Sequence, residues 1–139
     1  MNIETIYKTI KLKGKRLSKV RKAIIGILHQ SPCLLSTSEI LSCLKSHKIE
    51  PNRSTMYREL MFLAKNNIVI KNTIGHKDFF ELPTDHHHHL VCTNCNAIKK
   101  VVIGRHLHKQ EKQLEKENGF VIKSHSIEFY GLCRDCRTE

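Results

Sequence analysis

Four cysteines stand in two Cys-x-x-Cys pairs, Cys92 with Cys95 and Cys133 with Cys136. A Cys-x-x-Cys turn presents two sulfurs to one ion because its backbone doubles back. Two such turns complete the four-thiolate tetrahedral set that suits Zn(II). Four thiolates leave no open coordination position, so a zinc ion held there is structural, not catalytic. Two disulfides or a redox dithiol are the competing readings. Cys33 and Cys43 stand apart, among Leu34, Leu35, Leu41 and Leu44, and read as plain buried thiols.

The run His86-His87-His88-His89 lies just before the first cysteine pair. Side chains alternate faces along a strand, so His86 and His88 point one way, His87 and His89 the other. One run can therefore feed two metal sites. Glu81, on the preceding strand, is placed to join His87 and His89. His108 and His125 are placed to join His86 and His88. A solvated histidine cluster that binds metal weakly is the plainer alternative.

The elements that must position these groups follow from the hydrophobic period. Apolar residues at 3, 6, 7 and 10 have helical spacing, and Gly14 ends that helix. A second helix reads from a Ser18 N-cap to about Gln30, and Ser31-Pro32 stops it. A third starts near Thr37 or Ser38 and runs to His47. Asn52 caps a fourth, to about Asn67, with Met56, Leu60, Leu63 and Ala64 as its apolar stripe. The period then changes to that of a hairpin: a strand from Ile68, a turn at Gly75-His76, and a strand at Phe79 to Leu82. Helices two to four with this wing make a winged helix-turn-helix. After a short hinge at Pro83-Thr84-Asp85, strands are expected through the histidines to Val91, at Ala97 to Ile103, Phe120 to Lys123 and Ile127 to Leu132. A polar helix is expected from His106 to Asn118. The expected class is α+β, with residues 1–83 as a winged-helix DNA-binding domain and residues 84–139 as a small α/β dimerisation domain stapled by zinc.

Charge supports that division. Residues 1–83 carry 15 Lys and Arg against 6 Asp and Glu, a net +9, while residues 84–139 carry 9 against 7. The excess implies a polyanionic partner for the first half, most simply nucleic acid. A solvated, solubilising face is the bland alternative. In a helix-turn-helix the second helix enters the major groove. Off the apolar stripe of the fourth helix lie Arg53, Ser54, Tyr57 and Arg58, which suit base edges and phosphates. Lys15, Arg16, Lys19 and Arg21 are expected along the DNA backbone.

Together the stretches Phe80-Glu81-Leu82, His87 to Cys95, Asn118-Gly119-Phe120, His125-Ser126, Tyr130 to Cys133 and Cys136 closely resemble the ferric uptake regulator family. So does Ser54 to Leu60 in the fourth helix. The resemblance implies a metal-dependent transcriptional repressor that binds a pseudo-palindromic double-stranded DNA operator as a homodimer, with a tetramer left open. It implies structural zinc at the four cysteines, a regulatory site at Glu81, His87 and His89, and a third site at His86, His88, His108 and His125. Two departures stand out. On this resemblance Leu34 stands where the family has a histidine ligand, and Lys100 stands near the place of an acid. Glu81 and Arg58 differ from the Asp and Asn favoured by peroxide sensors, which tilts the reading toward an iron-responsive member, or one serving zinc uptake. Imidazole and carboxylate accept Fe(II), Zn(II) or Mn(II), so ligand type does not decide.

Rival classes are a zinc hydrolase and a metal buffer or chaperone. The first lacks an H-E-x-x-H or similar motif, and the second needs neither the fourth helix nor the +9 half. No apolar run approaches the roughly 18 residues that span a bilayer, and the N-terminus lacks an apolar signal core. The expected compartment is the cytoplasm.

Overall fold

A computed structural model describes residues 2–83, 85–104 and 107–138. Thr84 of the expected hinge and His106, expected to open the last helix, lie outside the described residues. The chain divides into two compact units, residues 1–84 and 85–139.

The first unit contains α1 (Ile3–Leu12), α2 (Lys19–Gln30), β1 (Leu35–Ser36), α3 (Thr37–Ser46), α4 (Arg53–Lys65), β2 (Ile70–Ile74) and β3 (Lys77–Glu81). Side-chain caps set the helix starts. Ser18 accepts from the Arg21 N–H, and Asn52 accepts from the Thr55 N–H at 2.7 Å. Ser36 and Glu39 form a reciprocal capping box at α3. The β2–β3 hairpin turns on Gly75 and His76, both at positive φ, as a two-residue loop compatible with strand twist requires. The two-residue β1, unforeseen from the sequence, pairs antiparallel with β3, with Leu35 opposite Phe80. The sheet order is β1-β3-β2. Ile6, Ile24, Ile40, Leu44, Met56, Leu60, Leu63 and Phe80 pack into one apolar cluster beneath it.

The second unit is built differently. It contains β4 (His88–Cys92), β5 (Ile98–Val101), α5 (Leu107–Asn118) and β6 (Glu128–Gly131). The sheet order is β5-β4-β6, with β4 antiparallel to β5 and parallel to β6. The strand expected at Phe120 to Lys123 does not form. There the Ile122 N–H is bonded to the Glu115 carboxylate of α5 at 2.8 Å, so the segment is held by a side chain and not by a ladder. Among the described residues of this unit, only Val91 and Cys92 are buried hydrophobics, and α5 buries none. Its interior is completed by His88 and His89.

The two units should therefore answer differently to core truncation. Phe80→Ala should cost the first unit about 3–5 kcal/mol, read as a lower denaturant midpoint of its helical signal. The zinc content of the purified protein should stay unchanged, because no cysteine of the two pairs lies in that unit.

Candidate metal centres

The parallel pairing of β4 with β6 sets Cys92 opposite Gly131, two residues before Cys133. The Thr93 N–H donates to the Gly131 carbonyl at 2.8 Å, and the Cys133 N–H donates to Cys92 Sγ at 3.4 Å. Each knuckle closes on itself, through Asn96 N–H to the Cys92 carbonyl and Cys136 N–H to the Cys133 carbonyl. The positive φ of Asn96 completes the first of these turns. All four sulfurs then lie within 4.8 Å of one another. Cys95 Sγ and Cys133 Sγ are 3.8 Å apart. A tetrahedron with Zn–S near 2.3 Å has edges of about 3.8 Å, so the separation fits one zinc ion and excludes a bond between these two sulfurs.

Electrostatics divides the four thiols. Backbone N–H groups of Cys95 and Cys133, aimed at its sulfur, pull Cys92 down to about 6. The Ala97 N–H pulls Cys95 down too, but hydrogen bonding among the neighbouring sulfurs outweighs it and pushes Cys95 up to about 12. The Asn94 side chain pulls Cys136 down, but hydrogen bonding with Cys133 and Cys92 together with desolvation raises it on balance. Four adjacent thiols cannot all ionise alone, whereas a divalent cation compensates the accumulated charge.

The histidine run sorts into two pairs. The His87 and His89 rings lie 5.0 Å apart. His86 and His88 are 4.8 Å apart, and His125 joins them at 4.6 and 5.1 Å. His88 is 1% exposed, and among the described residues neither of its ring nitrogens has a hydrogen-bond partner; nor has Nε2 of His125. Burial, then repulsion from His86, His125 and His87, lowers the His88 pKa and keeps it neutral, the form that ligates. Unsatisfied buried nitrogens cost about 1–3 kcal/mol each. A metal ion shared by the three rings would satisfy one nitrogen of each. His125 Nδ1 is hydrogen-bonded to the Glu111 carboxylate, which directs its other nitrogen to the cluster.

His108 does not join this group. Its side chain is 71% exposed in the first turn of α5, with Nδ1 4.0 Å from Glu111. The helix carries Glu111, one turn further on, to His125 instead. Glu111 was missed in the sequence, although an acid three residues after a candidate histidine shares its helix face.

The remaining candidate donors divide between the units. Glu81, 6% exposed, ends β3. Because β1 runs antiparallel to β3, the chain just before β1 passes the end of β3. The Cys33 sulfur comes within 4.8 Å of a Glu81 carboxylate oxygen. Cys33 is therefore no plain core thiol. Leu34, which the sequence set against a ligand position, is a buried apolar residue with no donor atom to offer. In the second unit, His87 and His89 offer nitrogens within the same 4.8 Å limit.

Of the basic and polar groups expected at DNA, Lys15, Arg16, Lys19, Arg53, Ser54, Tyr57 and Arg58 are exposed. Arg21 is not offered to a ligand. Its guanidinium donates to both Glu59 carboxylate oxygens at 2.6 and 3.2 Å, donates to the Arg16 carbonyl, and stacks on Phe62 at 4.1 Å. The residue ties α2 to α4, and the charge counted in the sequence is spent inside the unit.

The model of the Ferric uptake regulator family matches residues 12–130. The chain is 30% identical over 131 residues to the ferric uptake regulation protein of Bordetella parapertussis, covering 92% of this chain and 94% of that one. It is 27% identical over 138 residues to the peroxide operon regulator of Bacillus subtilis, covering 96% and 92%. A solved structure of the Helicobacter pylori ferric uptake regulator, described as revealing three functional metal binding sites, superposes with a TM-score of 0.82. It is 25% identical, over 100% of this chain and 96% of that one.

Three substitutions separate the contributions at the cysteine site and the histidine cluster. Cys133→Ser should lose close to one equivalent of zinc per chain by elemental analysis. Glu111→Ala should weaken metal binding at His86, His88 and His125 roughly 10- to 100-fold, whereas His108→Ala should leave it within about threefold, since an exposed side chain outside the group orients nothing. Competition titration against a chromophoric chelator measures both.

Proposed function

The chain belongs to the ferric uptake regulator family, and we propose that within it the protein is a metal-responsive transcriptional repressor acting as a homodimer on a pseudo-palindromic operator. It is a regulator and not an enzyme. The observation that carries this reading is β4, where a unit nearly without apolar core buries imidazoles that can donate to metal. A protein whose interior is satisfied by an ion can change its rigidity with the supply of that ion.

The roles divide by unit. The winged-helix half, with α4 as recognition helix, would place Arg53, Ser54, Tyr57 and Arg58 in the major groove, with Lys15, Arg16 and Lys19 along the phosphates. The second half would hold structural Zn(II) at Cys92, Cys95, Cys133 and Cys136. Its exposed apolar groups, among them Phe120, Val121, Phe129, Tyr130 and Leu132, suit burial against a second copy. Glu81, His87 and His89 would hold the regulatory ion, and His86, His88 and His125 a further one. With the regulatory ligands engaged, the wing strand is tied to the dimerising half, and the two recognition helices keep the spacing of one operator. A DNA-binding regulator of this kind acts in the cytoplasm.

Fe(II) is the proposed effector, in keeping with the Bordetella parapertussis relative and with Glu81 and Arg58, which depart from the peroxide sensors. Zn(II) is the second reading, and Cys33 favours it. A thiolate beside Glu81 would complete four donors and suits Zn(II) better than the harder Fe(II) or Mn(II).

Gel-shift titration tests the scheme. Operator affinity should rise at least about tenfold with saturating metal, and the operator should tighten metal binding by the same factor. Glu81→Ala should abolish that dependence while keeping the cysteine-bound zinc. Equal operator affinity with and without the regulatory ion would refute the proposal. Cys33→Ser should weaken Zn(II) more than Fe(II) if zinc is the effector, and both equally little if iron is. Arg58→Ala should lower operator affinity and reduce its salt dependence by about one unit of slope if it meets a phosphate.

A further inference from the structure

One carboxylate in the second unit joins a proposed metal ligand to a fixed cation. Asp85 Oδ1 lies 3.3 Å from His87 Nδ1, and the Asp85 main-chain carbonyl oxygen lies 3.2 Å from the same nitrogen. Asp85 Oδ2 accepts from Lys100 Nζ at 2.5 Å. Lys100 stands on β5 opposite His89 in the β4–β5 ladder. Directly opposed residues leave a sheet on the same face, so the ammonium stands on the side of His89 and of His87 two residues before it.

The chemistry at His87 is determined by what surrounds Nδ1. A carbonyl oxygen and an ionised carboxylate can only accept hydrogen bonds. Nδ1 therefore carries the proton, and Nε2 is the nitrogen that can ligate. The His87 side chain is 4% exposed, so water contributes little to its orientation.

We propose that Asp85 is a positioning residue that holds His87 in its metal-binding tautomer and orientation, and that Lys100 sets the strength of that effect. The proposal rests on His87 and His89 ligating the regulatory ion. A carboxylate behind a ligating imidazole fixes the ring and raises its basicity. Here the second oxygen of that carboxylate is spent on an ammonium, which withdraws part of the negative charge. The ammonium also opposes a dication on its own face. Asp85 thus strengthens metal binding and Lys100 weakens it, although the two form one ion pair. The arrangement sets a lower affinity than the same imidazoles would have without Lys100, and so a higher metal concentration at which the protein responds.

The opposite signs make the test. In a purely structural ion pair, removing either partner loosens the same segment, so both substitutions change metal affinity in the same direction. The full-length protein, zinc-loaded at its cysteines, is titrated with Co(II) against a chelator, following the visible ligand-field absorption. The component of interest is the one that His89→Ala removes. Asp85→Ala should weaken that component about 10- to 100-fold. Asp85→Asn, which keeps an oxygen beside Nδ1 but removes the charge, should weaken it less. Lys100→Met should tighten it. Weakening by both Asp85→Ala and Lys100→Met, or indifference to Asp85→Ala, overturns the proposal. If Asp85→Ala fails to fold by circular dichroism, the order of Asp85→Asn and Lys100→Met about wild type decides instead. If His89→Ala removes no component at all, the regulatory site itself is wrong, and the proposal falls with it. That outcome differs visibly from a component that is present but insensitive to Asp85.

Discussion

The parallel pairing of β4 with β6 is the constraint on which the second unit depends. Val91 and Cys92 are the only fully buried hydrophobic residues among its described residues. At roughly 1.5–3 kcal/mol for a fully buried aliphatic side chain, that falls far short of offsetting the conformational entropy of some fifty ordered residues. The register of β4 against β6 brings the two cysteine knuckles side by side and so creates the four-sulfur site. The same strand then presents its histidines in two pairs. A metal ion bound at these donors would supply what the small core cannot, because metal binding contributes folding free energy directly in small metal-stapled units.

The first unit is held by different means. An apolar cluster around Phe80 and Leu60, side-chain caps on α2, α3 and α4, and the Arg21–Glu59 pair stacked on Phe62 make it a self-sufficient helical body. Its surplus positive charge stays on the surface, apart from Arg21, where it can steer a polyanion. The division of labour follows from composition. Apolar periodicity builds a unit with its own core, and cysteine with histidine builds one rich in potential metal donors.

How far this was legible in the sequence depended on the range of the interaction. The caps at Ser18 and Asn52, the Gly75-His76 turn and the alternation of His86 to His89 are local, and each formed as its residue types require. The pairing of the two Cys-x-x-Cys turns was legible because zinc chemistry permits few other arrangements. What stayed hidden was decided at longer range. Nothing near Cys33 announces the two-residue β1 that brings it to Glu81. The choice of Glu111 over His108 depends on how α5 is placed against His125, which helical periodicity alone leaves open by one turn. Arg21 looked like its basic neighbours until Glu59, 38 residues away, claimed it. The expected strand at Phe120 to Lys123 gave way to one hydrogen bond from the Ile122 N–H to the Glu115 carboxylate.

The separation of the two knuckles also has a consequence in time. Cys133 follows Cys92 by 41 residues, so at roughly 5–20 residues per second a ribosome needs about 2–8 s to pass from one to the other. For that interval the nascent chain carries a two-sulfur turn and a row of imidazoles with no β6 to organise them. Half a zinc site of this kind binds weakly and exchanges readily. The cell's thiol buffer and its pool of exchangeable metal therefore act on the chain before its own architecture does. The winged-helix half, needing only its own side chains, can be complete by then. Synthesis thus passes through a state in which the half proposed to bind nucleic acid is finished and the half proposed to govern it is not.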